Sequence, residues 1–417
     1  MGKTVFIIVD GMGDRRINQL NNNTPLGYVL KPNIATLLKE AACAYPSVLG
    51  KLAPESDAGV LADLGYDPVR FSTGRGWFEC LGLDMHPREG DISLRVNIGE
   101  STRGKLKSVR TYLSIDEFRT LEKEINNKVS LPVEFEFKAG EGYRAGLIIR
   151  AKSKTFSAFI SNTQPGYAVK FFGENKLGFA RQVKINIVPK VKALKSTADY
   201  TAKILNIFVS EANKVLAASQ VNKEREKEGK NLANCIMLRD GAVKDPRLFD
   251  INKRFNKKWS AVLGMPLEKG IAIASGMKVF DTGESENVEK DLKKKTEAAI
   301  RALQQSDCVY LHIKQTDAAS HLGNFVEKCR VIMLIDEIVI GNLLHSLDIP
   351  SGDRLVLTCD HVTSSSLKMH VNDRIPVLLA SRKFGRCGEF GETYCSKHAL
   401  KNIKKATDIM PFVMDKL

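Results

Sequence analysis

A mostly parallel α/β sheet sandwiched by helices, with a small α+β domain inserted into it, is the fold class this sequence predicts. Three observations predict it. Apolar β-branched runs near both ends of the chain stop at acidic turns and are followed by helical periodicity, the signature of parallel α/β units. The length, 417 residues, calls for two domains or one large unit with an insertion. Between about 104 and 185 the texture changes to short alternating runs separated by turns.

Taken in order, residues 5–9 form a strand-like run ending in D-G-M-G-D, and 32–42 carry helical spacing with Pro32 at the start. Strand, turn and helix open a parallel sheet, whose ligands gather at the carboxyl ends of strands. Asp10 is therefore expected at the site. In the insertion a helix is expected over 115–127 and antiparallel strands at 133–138, 143–151, 155–160 and 167–172. The domains are then 1–103 with 186–417, and 104–185. Helical pattern resumes over 196–226, and a turn-rich stretch at 240–258 leads into the C-terminal half. There, 308–313, 354–359 and 375–380 read as strands, and 330–344 as a helix.

Composition narrows the function classes. The N-terminal apolar run is too short for a signal segment, and no later stretch is long enough to span a membrane. A cytoplasmic protein is expected. The eight scattered cysteines contain no C-x-x-C pair, which fits buried, reduced thiols better than a zinc finger or a disulfide framework. Sixty-three basic residues against 48 acidic ones give a net charge of +15. No basic tract with interleaved aromatics accompanies it, so the charge points to a small anionic phosphorylated metabolite rather than nucleic acid. A homo-oligomer is compatible with all of this.

His321, His361 and His370, three of the chain's seven histidines, lie near Asp317 and Asp360 in one C-terminal stretch. Imidazole and carboxylate together suit divalent ions such as Mn²⁺ or Zn²⁺. Asp10, Asp360 and His361 could hold one ion, and Asp317, His321 and His370 another, a pair suited to phosphoryl transfer. Ser56, in P-E-S-D-A-G, is a nucleophile candidate if a cation activates it, and otherwise a turn or N-cap serine. Arg75, flanked by glycines, can grip a carboxylate or phosphate. Asn234, Arg239 and Lys257 or Lys258 are candidate phosphate contacts, with solvated charge the plainer role for the lysines. Cys359 and His312 sit inside strand runs and read as packing or supporting residues.

The chain resembles the archaeal-type, cofactor-independent phosphoglycerate mutases of the alkaline-phosphatase superfamily. The likeness rests on V-D-G-M-G-D-R at 9–15, P-E-S-D-A at 54–58, T-G-R-G-W-F-E-C-L-G at 73–82 and G-D-I-S-L-R-V-N at 90–97. It continues in H-I-K-Q-T-D-A-A-S-H-L-G at 312–323, C-D-H-V-T at 359–363 and L-K-M-H-V-N-D-R-I-P-V at 367–377. The resemblance implies an alkaline-phosphatase-like sheet with a capping domain that closes over substrate. It implies two divalent ions (Mn²⁺ or Zn²⁺, with Mg²⁺ or Co²⁺ admissible) and no 2,3-bisphosphoglycerate cofactor. It makes Ser56 the residue that carries the phosphoryl group and a ligand of the ion held by Asp10, Asp360 and His361. The implied activity is interconversion of 3-phosphoglycerate and 2-phosphoglycerate, with Arg75, Arg110 and Arg144 near the substrate. The chain departs from the family pattern at Val60, Val109, Thr111, Tyr143, Asn162 and Gln164, where the relatives carry histidine, acidic or arginine side chains. These departures leave open a different small phosphoester as substrate, or a catalytically silent scaffold.

Overall fold

The computed structural model describes residues 2–152, 154–181 and 187–417. The expected domain junction at 185/186 lies outside the described residues. The chain forms two compact units, one of residues 1–70 and 248–417, the other of 71–247.

The first unit is built on a seven-stranded sheet. Its strand order is Lys278–Asp281, Trp259–Leu263, Cys308–Ile313, Thr4–Val9, Arg354–Thr358, Val377–Ala380 and Ala41–Ala44. The first five run parallel; Val377–Ala380 is antiparallel to its neighbours on both sides. Thr4–Val9 is buried along its whole length, as an uninterrupted V-F-I-I-V run in a central parallel strand requires. The expected helix over 32–42 ends early. It spans Pro32–Leu37, and Ala41–Ala44 becomes the edge strand because pairing with Val377–Ala380 outweighs the helical preference of alanine. The expected helix over 330–344 is present with a π-helical turn at Ile335–Ile340. That turn carries Asp336, whose carboxylate accepts from the backbone N–H groups of Asn33 and Ile34 at the start of Pro32–Leu37.

The second unit is wider than the expected 104–185. Ile92–Thr102 and Cys235–Ala242 lie outside those limits, yet they pair with each other, and Ile92–Thr102 also pairs with Arg144–Ile149. Phe135–Ala139 completes that side of the sheet, and Tyr167–Phe172 with Asn175–Ala180 forms a separate hairpin. Residues 155–160 form no strand; apart from an isolated bridge at Ile160 the segment is irregular. Alternation along Ile92–Thr102 divides the sheet's faces. Ile92, Leu94, Val96 and Ile98 join a core with Phe118, Leu121 and Ile125 of helix Ile115–Lys128 and Leu205, Phe208 and Ala212 of helix Asp199–Ala218. Arg95 and Asn97 point to the other face. There Gly76 lets helix Arg75–Gly82 lie against the strand, since a Cβ at Gly76 would come 2.3 Å from the Ser93 carbonyl oxygen.

Candidate metal centre and arginine cluster

Three adjacent parallel strands, Cys308–Ile313, Thr4–Val9 and Arg354–Thr358, deliver the centre at their carboxyl ends. Ile8 pairs with Thr358, so Asp10 and Asp360, each two residues further on, leave the sheet side by side. His361 Nε2 lies 3.1 Å from Asp10 Oδ1 and 3.3 Å from Asp360 Oδ2. Ser56 Oγ approaches the same nitrogen at 3.4 Å. Ser56 begins helix Ser56–Asp63, and Gly59 one turn later permits the approach, because a Cβ there would sit 2.2 Å from the Asp360 carbonyl oxygen.

The second set sits on helix Gln315–Leu322 and the hairpin of Val362–Ser364 with Met369–Val371. His321 Nε2 and His370 Nε2 are 3.1 Å apart, and Asp317 Oδ1 is 3.4 and 3.3 Å from them. Both rings are oriented from behind: His321 Nδ1 donates to the Lys368 carbonyl oxygen at 3.0 Å and His370 Nδ1 to that of Pro54 at 2.8 Å. Carbonyl oxygens only accept, so each Nδ1 carries the proton and each Nε2 presents a lone pair. Two imidazole nitrogens and a carboxylate oxygen converging on one point form a cation-binding geometry. Atoms sharing an ion at about 2.1 Å lie about 3.0 Å apart at a right angle and about 3.4 Å at the tetrahedral angle. The spacings of both sets, 3.1–3.4 Å, fit that range. Asp10 Oδ1 and Asp360 Oδ2 are moreover buried with no hydrogen-bond partner, which a cation would correct.

Charge is distributed unevenly across the centre. Burial works to raise the Asp317 carboxyl, but Lys314 and then the histidines hold it well below the usual carboxylate range. Asp10 is likewise lowered: burial opposes, and the Lys314 ammonium prevails. Asp360 is pushed up by burial and by Asp10. Burial, followed by the neighbouring His361, lowers His370 and favours the neutral imidazole that ligates metals. Lys314 contacts Asp10 Oδ2 and lies 3.0 Å from Asp317 Oδ2, bridging the two sets. Thr363 Oγ1 joins them too, 2.9 Å from Asp317 Oδ1 and 3.0 Å from His361 Nδ1. Sequence reasoning did not single out Lys314 or Thr363, although both stand inside the quoted motifs. Cys359 is buried, and burial followed by Asp360 pushes its thiol well above the usual range, which suits packing rather than nucleophilic chemistry.

Lys257 and Lys258 are not brought to this centre. They precede Trp259–Leu263, whose first residue pairs with Cys308, and so stand at the opposite, amino-terminal edge of the parallel strands.

The arginines belong to the second unit. On the polar face of its sheet Arg95 pairs in register with Arg239, and Asn97 with Arg144. Glu79 receives Arg75 Nε at 2.8 Å and Arg95 Nη1 at 2.5 Å. Burial opposes ionisation of Glu79, but Arg95 and Arg75 pull its carboxyl down to about 2. Arg239 pairs with Asp240 at 2.9 Å and lies 3.7 Å over the Tyr167 ring. Tyr143 stands between Arg110 and Arg144, with guanidinium carbons 5.4 and 4.5 Å from its ring centre. Glu79 thus takes two guanidiniums and Asp240 one, while two more flank Tyr143, an anion-binding composition. Arg95 and Glu79 were missed from sequence; the signal was the polar alternation in I-S-L-R-V-N. Asn234 stands apart, its amide bonded to the backbone of Ser101 at 2.9 and 3.0 Å. Of the departures, Val60 is buried in helix Ser56–Asp63, and the Asn162 side-chain amide donates to Asp240 Oδ1 and accepts from the Asp240 backbone N–H. Thr111 caps the Leu232 carbonyl, and Gln164 is buried.

Among the described residues no helix is long and apolar enough to cross a membrane. The family model of 2,3-bisphosphoglycerate-independent phosphoglycerate mutases matches residues 44–222. The chain is 32% identical to the mutase of that name from Thermococcus kodakarensis, over 99% of this chain and 97% of that one. It is 34% identical to the one from Methanopyrus kandleri, covering 90% and 87%. A solved Pyrococcus horikoshii protein matches with a TM-score of 0.79 and 26% identity, over 99% and 97% of the two chains. A cofactor-independent phosphoglycerate mutase from Thermoplasma acidophilum shares the fold, with a TM-score of 0.61 and 24% identity over 100% and 99%. Kinship and the paired Asp–His sets together support a metal-dependent phosphotransferase reaction. With end-to-end similarity at this level, the chain belongs to the 2,3-bisphosphoglycerate-independent phosphoglycerate mutase family.

Proposed function

We propose that this protein interconverts 3-phosphoglycerate and 2-phosphoglycerate by passing the phosphoryl group through Ser56. The observation that carries the reading is the convergence of Ser56 Oγ with Asp10 and Asp360 on His361 Nε2. Divalent cations bound by the two Asp–His sets would acidify the serine hydroxyl and neutralise phosphoryl oxygens. Ser56 Oγ forms a bond to phosphorus as the substrate's P–O ester bond breaks, and the proton lost from the serine ends on the released oxygen. The other hydroxyl of the retained glycerate then attacks phospho-Ser56, and the proton it gives up restores the serine. Seating Ser56 at a helix start favours this chemistry, since the positive end of the helix dipole lies beside the developing negative charge. The arginine cluster has the chemistry to hold the substrate's carboxylate, with Glu79 fixing Arg75 and Arg95.

The test is Ser56→Ala in Mn²⁺-loaded protein. It is expected to abolish mutase turnover and ³²P labelling of the chain, while wild type shows both. A labelled Ser56→Ala protein, or a metal-replete wild type without mutase activity, would contradict the proposal. A second reading, a phosphotransferase for another small anionic phosphoester, is favoured by one observation: Tyr143 is wedged between Arg110 and Arg144. Turnover of a non-glycerate phosphoester at a higher kcat/KM would select it.

A further inference from the structure

We propose that Lys328 is a positioning residue that sets the spacing of the two Asp–His sets without supplying a ligand; the inference rests on the cation-binding reading of that centre. Lys328 lies on helix Phe325–Leu334, which carries none of the Asp–His residues. Its side chain is fully buried, and its ammonium donates to three acceptors. These are the Gly13 carbonyl oxygen at 2.9 Å, Asp14 Oδ2 at 3.0 Å and the Thr363 carbonyl oxygen at 3.0 Å. An ammonium has three N–H donors, so the set is complete.

The acceptors come from two loops. Gly13 and Asp14 follow Asp10 on the loop after strand Thr4–Val9, and Thr363 follows Asp360 and His361 beyond strand Arg354–Thr358. The Thr363 N–H also donates to the Gly13 carbonyl oxygen at 3.2 Å, and Val362 bridges to Met12 and Gly13. Asp14 draws in the second loop a little further along. Its two carboxylate oxygens accept from the Ser365 N–H at 3.1 and 3.2 Å, and Oδ2 accepts from the Ser365 hydroxyl at 2.6 Å. Thr363 in turn reaches the second set, its Oγ1 lying 2.9 Å from Asp317 Oδ1. One buried ammonium therefore ties together the loops that deliver Asp10, Asp360 and His361, and through Thr363 it reaches the helix bearing Asp317.

A buried ion pair is a weak device for stability, because desolvation of both ions offsets most of their attraction. What the Lys328–Asp14 pair adds, with both side chains fully buried, is direction. Without the ammonium, two carbonyl oxygens and a carboxylate from separate loops face one another unpaired, and the loops must part to relieve them. Groups that orient metal ligands from behind contribute about ten- to hundredfold in metal affinity. Lys328 acts in this way through the backbone of both loops.

The test uses Lys328→Met, which keeps the reach of the side chain and removes its charge. Mn²⁺ binding is measured by calorimetry and electron paramagnetic resonance on protein that circular dichroism shows to be folded. The expected result is a Mn²⁺ dissociation constant raised about ten- to hundredfold, with a changed manganese spectrum at saturation. Ile332→Ala, which removes a buried side chain from the same helix, is expected to leave Mn²⁺ affinity unchanged. Wild-type affinity in Lys328→Met, or an equal loss in Ile332→Ala, would overturn the proposal. If Lys328→Met does not fold, amide hydrogen exchange in wild type decides. Mn²⁺ is expected to slow exchange at Arg15 and Ser365, whose N–H groups donate to Asp14, and unchanged rates there would overturn the proposal equally. Wild-type protein that binds no Mn²⁺ would remove the cation-binding reading and this inference with it. Normal Mn²⁺ binding without mutase activity would strike only the proposed reaction.

Discussion

At Glu79 a single carboxylate offsets part of a crowd of guanidiniums, and its loss should be felt beyond one contact. Replacing it with Gln leaves Arg75 and Arg95 buried without their shared anion, an expected destabilisation of about 3–5 kcal/mol by urea denaturation. The acid limb of stability should change as well. Unfolded, Glu79 takes up a proton near 4.5; folded, it stays ionised until about 2. Between those values the unfolded state binds more protons, so stability falls as pH drops through the window, by roughly 3 kcal/mol in all. Thermal melts from pH 5 to 2.5 are expected to show that loss in wild type and a shallower one in Glu79→Gln. Equal slopes would mean that Glu79 is not the anion that the arginines hold. The same residue marks a boundary of what can be read from sequence. A carboxylate within a helix, E-C-L-G, gives no sign of two arginine partners until the strand bearing Arg95 is laid beside it.

Among the elements, helix Ser56–Asp63 is tightly constrained, because its backbone packs on the loop that carries Asp360. Gly59→Ala places a methyl against a carbonyl oxygen, not against a flexible side chain, so helix or loop must shift. The expected outcome is a destabilisation of about 1–3 kcal/mol, with Mn²⁺ affinity measured by calorimetry falling in the same variant. Unchanged metal affinity would show that the helix moves and leaves Asp360 in place. Much of this centre was legible: Asp10, Asp317 and Asp360 follow apolar strand runs, and parallel strands gather such residues at one edge. His370 was legible only by type, since it arrives on a short hairpin and no strand points to it. Lys314 and Thr363 escaped because an ammonium or a hydroxyl becomes part of a site only through its tertiary neighbours. Likewise the edge strand Ala41–Ala44 could not be told from a helix end, since its alanine-rich A-A-C-A composition favours helix until Val377–Ala380 supplies a partner.

For the whole molecule, the chain order has its own consequences. The second unit is one continuous segment, 71–247, with its own apolar core. Expressed alone, that segment is expected to give a cooperative thermal melt and native-like circular dichroism; a broad, non-cooperative transition would show that it needs the rest of the chain. The limits expected from sequence, 104–185, followed a change of texture. They missed that the strands on either side of it, Ile92–Thr102 and Cys235–Ala242, close into the same sheet. The first unit is in the reverse position. Its central strand, Thr4–Val9, is made before the other strands of its sheet, yet both of its neighbours lie beyond residue 307. On a ribosome adding about 5–20 residues per second, that sticky V-F-I-I-V segment waits roughly 15–60 s for a partner. For that interval the nascent chain carries an unpaired β-segment ahead of an already foldable domain. The insertion that widens the protein's architecture thereby lengthens the time in which a chaperone, or another nascent chain, can reach its core first.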